Sequence, residues 1–162
     1  MKIRPATATD HDAIWEIFHS VTTPGDTYAF DPAMSRRDAL ACWFQSGTWT
    51  YVAENKGKVV GTYILRANQP GLGSHVANAA FMVSPQARGI GVGRQMGEHC
   101  LEEARRLGFR AMQFNFVVST NQAAIRLWES LGFEITATLP GAFRHSVKGF
   151  VDVHIMFRKL ID

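Results

Sequence analysis

Between Val83 and Arg94 the chain reads Val-Ser-Pro-Gln-Ala-Arg-Gly-Ile-Gly-Val-Gly-Arg, and this stretch constrains the fold more than any other. The apolar run Ala79-Ala80-Phe81-Met82-Val83 has the character of a strand and is stopped by Ser84-Pro85, while Met96, Cys100, Leu101, Ala104 and Leu107 recur at helical spacing. Three glycines therefore fall in a strand-to-helix turn. At such a turn the first amides of the helix have no intrahelical acceptor and the helix dipole is positive, so an anion, above all a phosphate, is attracted. Glycine suits the position because a Cβ would block close approach to the backbone. The frame G-x-G-x-x-G fails, because after Gly89 and Gly91 the third position is Arg94, and no Gly-Lys-Ser/Thr follows. What remains is Arg88-x-x-Gly91-x-Gly93. A tight turn that binds nothing is the alternative reading of that motif taken alone.

At 162 residues and 46% hydrophobic content the chain has enough apolar surface for one core, so a single domain over residues 1–162 is expected. Seventeen basic against fourteen acidic side chains give a formal charge of +3 without a basic run, which argues against a nucleic-acid partner. No apolar segment reaches membrane-spanning length and the N-terminus lacks an apolar leader pattern, so a cytoplasmic protein with no membrane partner is expected. Cys42 and Cys100 have no C-x-x-C spacing, and the latter falls on an apolar helix face, the setting of a buried thiol rather than a nucleophile. The six histidines show no metal-ligand spacing, so no metal is expected; His75 and His145 are candidates for proton transfer.

Taken in order, Lys2 to Arg4 reads as a strand and Thr9 or Asp10 as the cap of a helix with Ile14, Ile17 and Phe18 inward. A loop from Thr22 to Pro32 follows, and Ser35 caps a second helix. Two β-rich runs flank Asn55-Lys56-Gly57, a hairpin signal, and a strand spans about residues 74–83. The helix from about Gly91 to Leu107 is followed by a strand over 109–118, a helix over 122–131 capped by Asn121, a strand over 133–138, a polar loop over 139–148 and a last strand over 150–157. Helices alternating with strands at the centre, with hairpins on either side, give an α/β (α+β) chain with a mixed sheet covered by helices.

The Arg88-x-x-Gly91-x-Gly93 turn resembles the pyrophosphate motif of the GNAT superfamily of acyl-CoA-dependent N-acetyltransferases. Asn121-x-x-Ala124-x-x-Leu127-Trp128-Glu129-x-Leu131-Gly132-Phe133 resembles the second signature of that family, at the family's distance from the first. The resemblance implies the GNAT fold, a mixed, mostly antiparallel splayed sheet flanked by helices, with acetyl-CoA as co-substrate. It implies that Arg88, Gly89, Gly91, Val92, Gly93 and Arg94 hold the diphosphate, that the pantetheine arm lies between the strands ending at Val83 and Val118 and pairs with backbone near Met82 and Val83, and that Asn121, otherwise simply a helix cap, bonds the pantetheine or pyrophosphate. It places Tyr28 and Phe30 in the acceptor region, where core or lid packing is the alternative role. Trp128 stands where the family often has a Tyr that protonates the departing thiolate; an indole N–H cannot do so. A carboxylate base before Val83 is missing too.

Asn78, Asn115 and the Trp128 variant resemble the acetyltransferases of L-azetidine-2-carboxylate and related proline-like imino acids. By that analogy Asn78 and Asn115 act at the reacting centre, Asn78 also holds the acceptor, and Arg144 meets an acceptor carboxylate; bridging Asn residues and a solvated loop Arg are the alternatives. The implied reaction is direct transfer of acetyl to the amine of a small molecule, and a homodimer is the assembly the resemblance implies. A non-catalytic acyl-CoA sensor, and an acetyltransferase of a peptide N-terminus or amine antibiotic, are the competing readings.

Overall fold

Strand alternation and helical periodicity sort the side chains onto two faces of one seven-stranded sheet. The computed structural model describes residues 1–161. In chain order it contains β1 (Lys2–Pro5), α1 (His11–Thr22), α2 (Arg36–Trp43), β2 (Thr48–Asn55), β3 (Lys58–Ala67), β4 (Val76–Val83), α3 (Val92–Arg106), β5 (Ala111–Val118), α4 (Gln122–Ser130), β6 (Glu134–His145) and β7 (Gly149–Lys159). The strand order is β1-β2-β3-β4-β5-β7-β6. Every neighbouring pair is antiparallel except β4 and β5, which run parallel and are joined through α3.

From Gly61 onward in β3, past the register shift opposite Ala53 and Glu54, and throughout β4, even-numbered residues face α1 and α2. There Ile64 and Met82 join Ile14, Ile17, Phe18, Ala39 and Trp43 in one buried cluster. Odd-numbered residues face α3 and α4, where Tyr63, Leu65 and Ala79 pack with Met96, Cys100, Trp128 and Leu131. Each fully buried large side chain contributes about 1.5–3 kcal/mol relative to exposure, so these two layers hold the sheet. The close approach of α3 depends on small residues: a Cβ at Gly61 would lie 2.9 Å from Val92 Cγ1, and one at Gly97 would lie 2.7 Å from Leu131 Cδ1.

Local chemistry accounts for most boundaries. Ser35 Oγ and Asn121 Oδ1 each accept a hydrogen bond from the backbone N–H three residues on, at 3.2 Å, as the cap positions require. At the β2–β3 hairpin both turn residues have positive φ, Lys56 at 50° and Gly57 at 77°, the geometry of a two-residue type I′ turn. Two expectations fail. Asp10 is the cap position of α1 but its carboxylate makes no cap bond, because a short 3-10 turn over Ala8–Asp10 turns it back onto Arg4 and the Thr7 amide. The expected loop over 139–148 is largely strand: β6 continues to His145, and the register shift between Leu139 and Phe143 absorbs Pro140 and Gly141 as a bulge. Proline is tolerated there because β6 is an edge strand.

Asp10 is the buried electrostatic tie of the N-terminal half. It is 4% exposed, receives Arg4 at 2.8 and 2.9 Å and the Thr7 N–H at 2.8 Å, and the guanidinium holds its carboxyl down at about 2. A carboxylate whose pKa is depressed by folding stabilises the protein above its ordinary value near 3.8 and loses that contribution as pH falls toward 2. Asp10→Asn is expected to remove about 2 kcal/mol of stability at pH 7 and to flatten the fall of Tm between about pH 4 and pH 2, measured by thermal denaturation across pH.

Candidate active site

The site is made by a ladder that stops early. β4 and β5 pair only at Val76 with Ala111 and Ala77 with Met112, after which the strands diverge. Asn78 sits at the fork, where its Nδ2 donates to the Gln113 carbonyl at 2.9 Å and closes the last joint before the gap.

Backbone parity decides which groups face that gap. Ser84 N–H donates to Val60 O and Asn68 N–H to Val76 O, so the even-numbered residues of β4 commit their main chain to β3. Ala79, Phe81 and Val83 therefore turn their N–H and C=O groups into the gap. This corrects one expectation: Met82 contributes cavity wall, but its backbone is paired with β3, and the gap-facing neighbour of Val83 is Phe81. At Phe81 both groups are engaged by Tyr28, whose hydroxyl donates to the carbonyl and accepts from the N–H at 3.1 Å. Burial pushes the Tyr28 hydroxyl up to about 12, so it stays protonated at neutral pH.

The gap opens into a cleft of about 1080 Å³. At one end lies the start of α3. Gly89 and Gly91 have φ of +82° and +84°, a region that a side chain rarely adopts; beyond its chain neighbours a Cβ at Gly89 would meet nothing within 4 Å among the described residues, and one at Gly91 would meet Gln95 Nε2 at 3.9 Å. Unlike α2 and α4, α3 has no side chain on its first amides. The first-turn N–H groups of Val92, Gly93 and Arg94 thus point at the cleft with no intrahelical acceptor. Arg88 and Arg94 add positive charge at this rim, Arg94 being held by Ser130 at 2.7 Å. Gly93 has a second reason to be small, since a Cβ there would press on Leu127 at 3.3 Å. Asn121 lines the same end; its Oδ1 caps α4, and among the described residues its Nδ2 has no partner. Trp128 forms part of an aromatic wall, with ring centroids 4.8 Å from both Phe81 and Phe114.

The opposite end lies on the α1/α2 side. Tyr28 and Phe30 line it, packed 5.9 Å apart with Phe30 against Phe18. Asn115 is tied to Asn68 at 2.7 Å and to Gln113 at 2.9 Å, so Asn78, Gln113, Asn115 and Asn68 form one polar chain along the fork. Arg144 is not brought here. It is exposed, whereas Phe143 and His145, one residue to either side, turn inward as strand alternation requires. His145, named from the sequence only as a candidate for proton transfer, and Lys148 line the cleft instead, with Asp26 and Arg66, which the sequence did not mark. His145 Nδ1 accepts from the backbone N–H of Val147 at 3.1 Å and Lys148 at 3.2 Å. That leaves the ring proton of neutral His145 on Nε2, a donor rather than a base. His75 is outside the cleft. The roof is closed by Ser146, whose N–H reaches Gly25 O at 2.9 Å and whose hydroxyl reaches Pro24 O at 2.7 Å.

Cys100 is fully buried in the core beneath β3, and burial raises its thiol, so it offers no nucleophile to the cleft. Among the described residues, no group of three or more His, Cys, Asp or Glu could hold a metal ion, and no helix is long and apolar enough to cross a membrane.

Comparison with known proteins gives a consistent result. The model of the acetyltransferase (GNAT) family matches residues 12–133. N-acetyltransferase aca1 of Schizosaccharomyces pombe is 33% identical over 148 residues, 81% of this chain and 71% of the relative. L-amino acid N-acyltransferase MnaT of Escherichia coli is 30% identical over 146 residues, 86% of this chain and 83% of the relative. Among solved structures, a GCN5-related N-acetyltransferase from Kribbella flavida superposes with a TM-score of 0.93 at 43% identity, covering 98% of this chain and 96% of that one. The yncA structure from Salmonella typhimurium, which contains its cofactor acetyl-CoA, has a TM-score of 0.89 at 29% identity and covers 100% and 95%.

Proposed function

The chain belongs to the acetyltransferase (GNAT) family, and from that membership we propose that it transfers the acetyl group of acetyl-CoA directly to the amine of a small amino acid or proline-like imino acid. That it is an acyl-CoA-dependent N-acetyltransferase follows from the family match and from its relatives; the acceptor and the residue roles are the proposal. The observation that carries it is the cleft itself, which joins an uncapped helix N-terminus at one end to a polar, charged chamber at the other through a slit of gap-facing backbone.

Acetyl-CoA supplies an activated acetyl thioester. The protein's contribution begins with the diphosphate, for which Val92, Gly93 and Arg94 amides, the open space at Gly89 and Gly91, and the Arg88 and Arg94 guanidinium groups are suited. The gap edge of β4 offers N–H donors at Ala79, Phe81 and Val83 where negative charge develops on the thioester oxygen as the amine attacks. Holding both reactants across this slit converts a bimolecular encounter into an oriented one. The slit edge carries no carboxylate base: Asn78 and Asn115 stand beside it, and they position the acceptor by hydrogen bonds rather than by accepting its proton. An acceptor amine that is already neutral suits such a site.

An amino-acid-like acceptor fits the chamber because both signs of charge are present. Asp26 can hold a second ammonium or repel a wrong substrate, while Lys148 and the Nε2–H of His145 are donors for a carboxylate. The MnaT relative is named for L-amino acids, in keeping with this reading. Peptide N-termini and amine antibiotics are the rival acceptors that the test must include.

Thiol release from acetyl-CoA should depend on an added amino or imino acid in a panel that also contains peptides and aminoglycoside-type amines; release that ignores every small amino acid would overturn the acceptor assignment. Gly91→Val is expected to weaken acetyl-CoA binding about tenfold or more, measured by calorimetry, because it adds a strained side chain where the diphosphate is to lie. Cys100→Ala is expected to keep acetyl transfer within about twofold of the unaltered enzyme, since a buried, protonated thiol takes no part in direct transfer. Loss of all turnover in that variant, with fold retained by circular dichroism, would argue for an acyl-enzyme.

A further inference from the structure

Tyr28 reaches into the slit from the chamber side and engages both main-chain groups of Phe81 that face the gap, accepting from the N–H at 3.1 Å and donating to the carbonyl. Building on the acetyltransferase reading, we propose that the Tyr28 hydroxyl holds the place of the thioester carbonyl at Phe81, so that an acyl-CoA must displace it whereas the CoA product need not. This makes Tyr28 a residue that distinguishes loaded from spent co-substrate.

The argument is one of matching donors and acceptors. The gap edge of β4 has three N–H donors, at Ala79, Phe81 and Val83, and Phe81 is the middle one. Buried backbone groups need partners, and one hydroxyl serves both of those on Phe81. A thioester carbonyl is an acceptor, so it can replace Tyr28 at the Phe81 N–H. The CoA thiol is a weak donor and a weaker acceptor, so it cannot make that exchange favourable. With CoA bound the Tyr28 hydroxyl therefore stays on Phe81; with an acyl-CoA bound it is released toward the chamber that Phe30 and Asn78 line. Acyl transfer removes the carbonyl from the thiol, and Tyr28 returns. The slit is thereby closed to the acceptor whenever no acyl group is present, which disfavours a dead-end complex of acceptor with CoA.

The position of Tyr28 in the chain supports this role over simple bracing. It lies in the segment between α1 and α2, beyond the Gly25 carbonyl that the roof residue Ser146 holds, so it can shift without breaking that anchor. A brace would support the binding of both ligands equally, whereas a place-holder opposes only the acylated one. The two roles predict opposite patterns when the hydroxyl is removed.

Acetyl-CoA and CoA should be titrated separately by calorimetry into the unaltered protein and into Tyr28→Phe. Removing a competing internal hydrogen bond should tighten acetyl-CoA by about three- to tenfold and leave CoA within about twofold. Tyr28→Leu, which also removes the ring, should show the same selective gain, and CoA binding serves in each variant as the check that the site is folded. Equal changes for the two ligands, no gain for acetyl-CoA, or weaker acetyl-CoA binding with CoA retained would overturn the place-holder role alone. An unaltered protein that bound neither ligand would overturn the transferase reading and this inference with it.

Discussion

A parallel strand pair that separates after two residue pairs leaves main-chain hydrogen-bonding groups facing each other across a space too wide to bridge. Buried groups of this kind are costly unless something pairs with them, and the rest of the molecule is arranged around that requirement. Asn78 pairs across the fork and Tyr28 pairs within the gap. Packing keeps the fork open. Phe81, Phe114 and Trp128 form one aromatic cluster on the α3/α4 side, so the diverging strands are wedged apart by side chains rather than left to collapse.

The helix terminus and the fork are physically linked. α3 leaves the end of β4 through the glycine turn, and its axis is set by contacts that admit no added carbon: Gly61 beneath Val92 and Met96, and Gly97 against Leu131 and Trp128. The same packing that seats α3 on the sheet therefore aims its first amides at the mouth of the gap. The direction of these amides and the fold are not separable here, since the contacts that seat α3 also aim its first turn.

Much of this was legible from local chemistry. The Ser35 and Asn121 caps, the Lys56-Gly57 hairpin, the strand that ends at Val83 and the glycine turn each rest on interactions within a few residues, and each is found where such rules put it. The failures are non-local. Pro140-Gly141 reads as a turn, and only pairing with β7 carries the strand through it. Met82 and Phe81 are equally apolar, and only the register with β3 determines which of them turns its amide to the gap. Arg144 carries the charge a carboxylate needs, yet Phe143 anchors the strand and alternation sends His145, not Arg144, inward. Tyr28 could be assigned to a pocket but not to Phe81, because that contact joins residues 53 positions apart.

The roof over the acceptor chamber is held by two hydrogen bonds from Ser146, one of which spans 122 positions to Pro24. A closure of that length is entropically unfavourable until the intervening chain is already ordered. The chamber wall is thus closed by two segments from near opposite ends of the chain and exists only once both are in place, whereas the glycine turn depends on residues close to it in sequence.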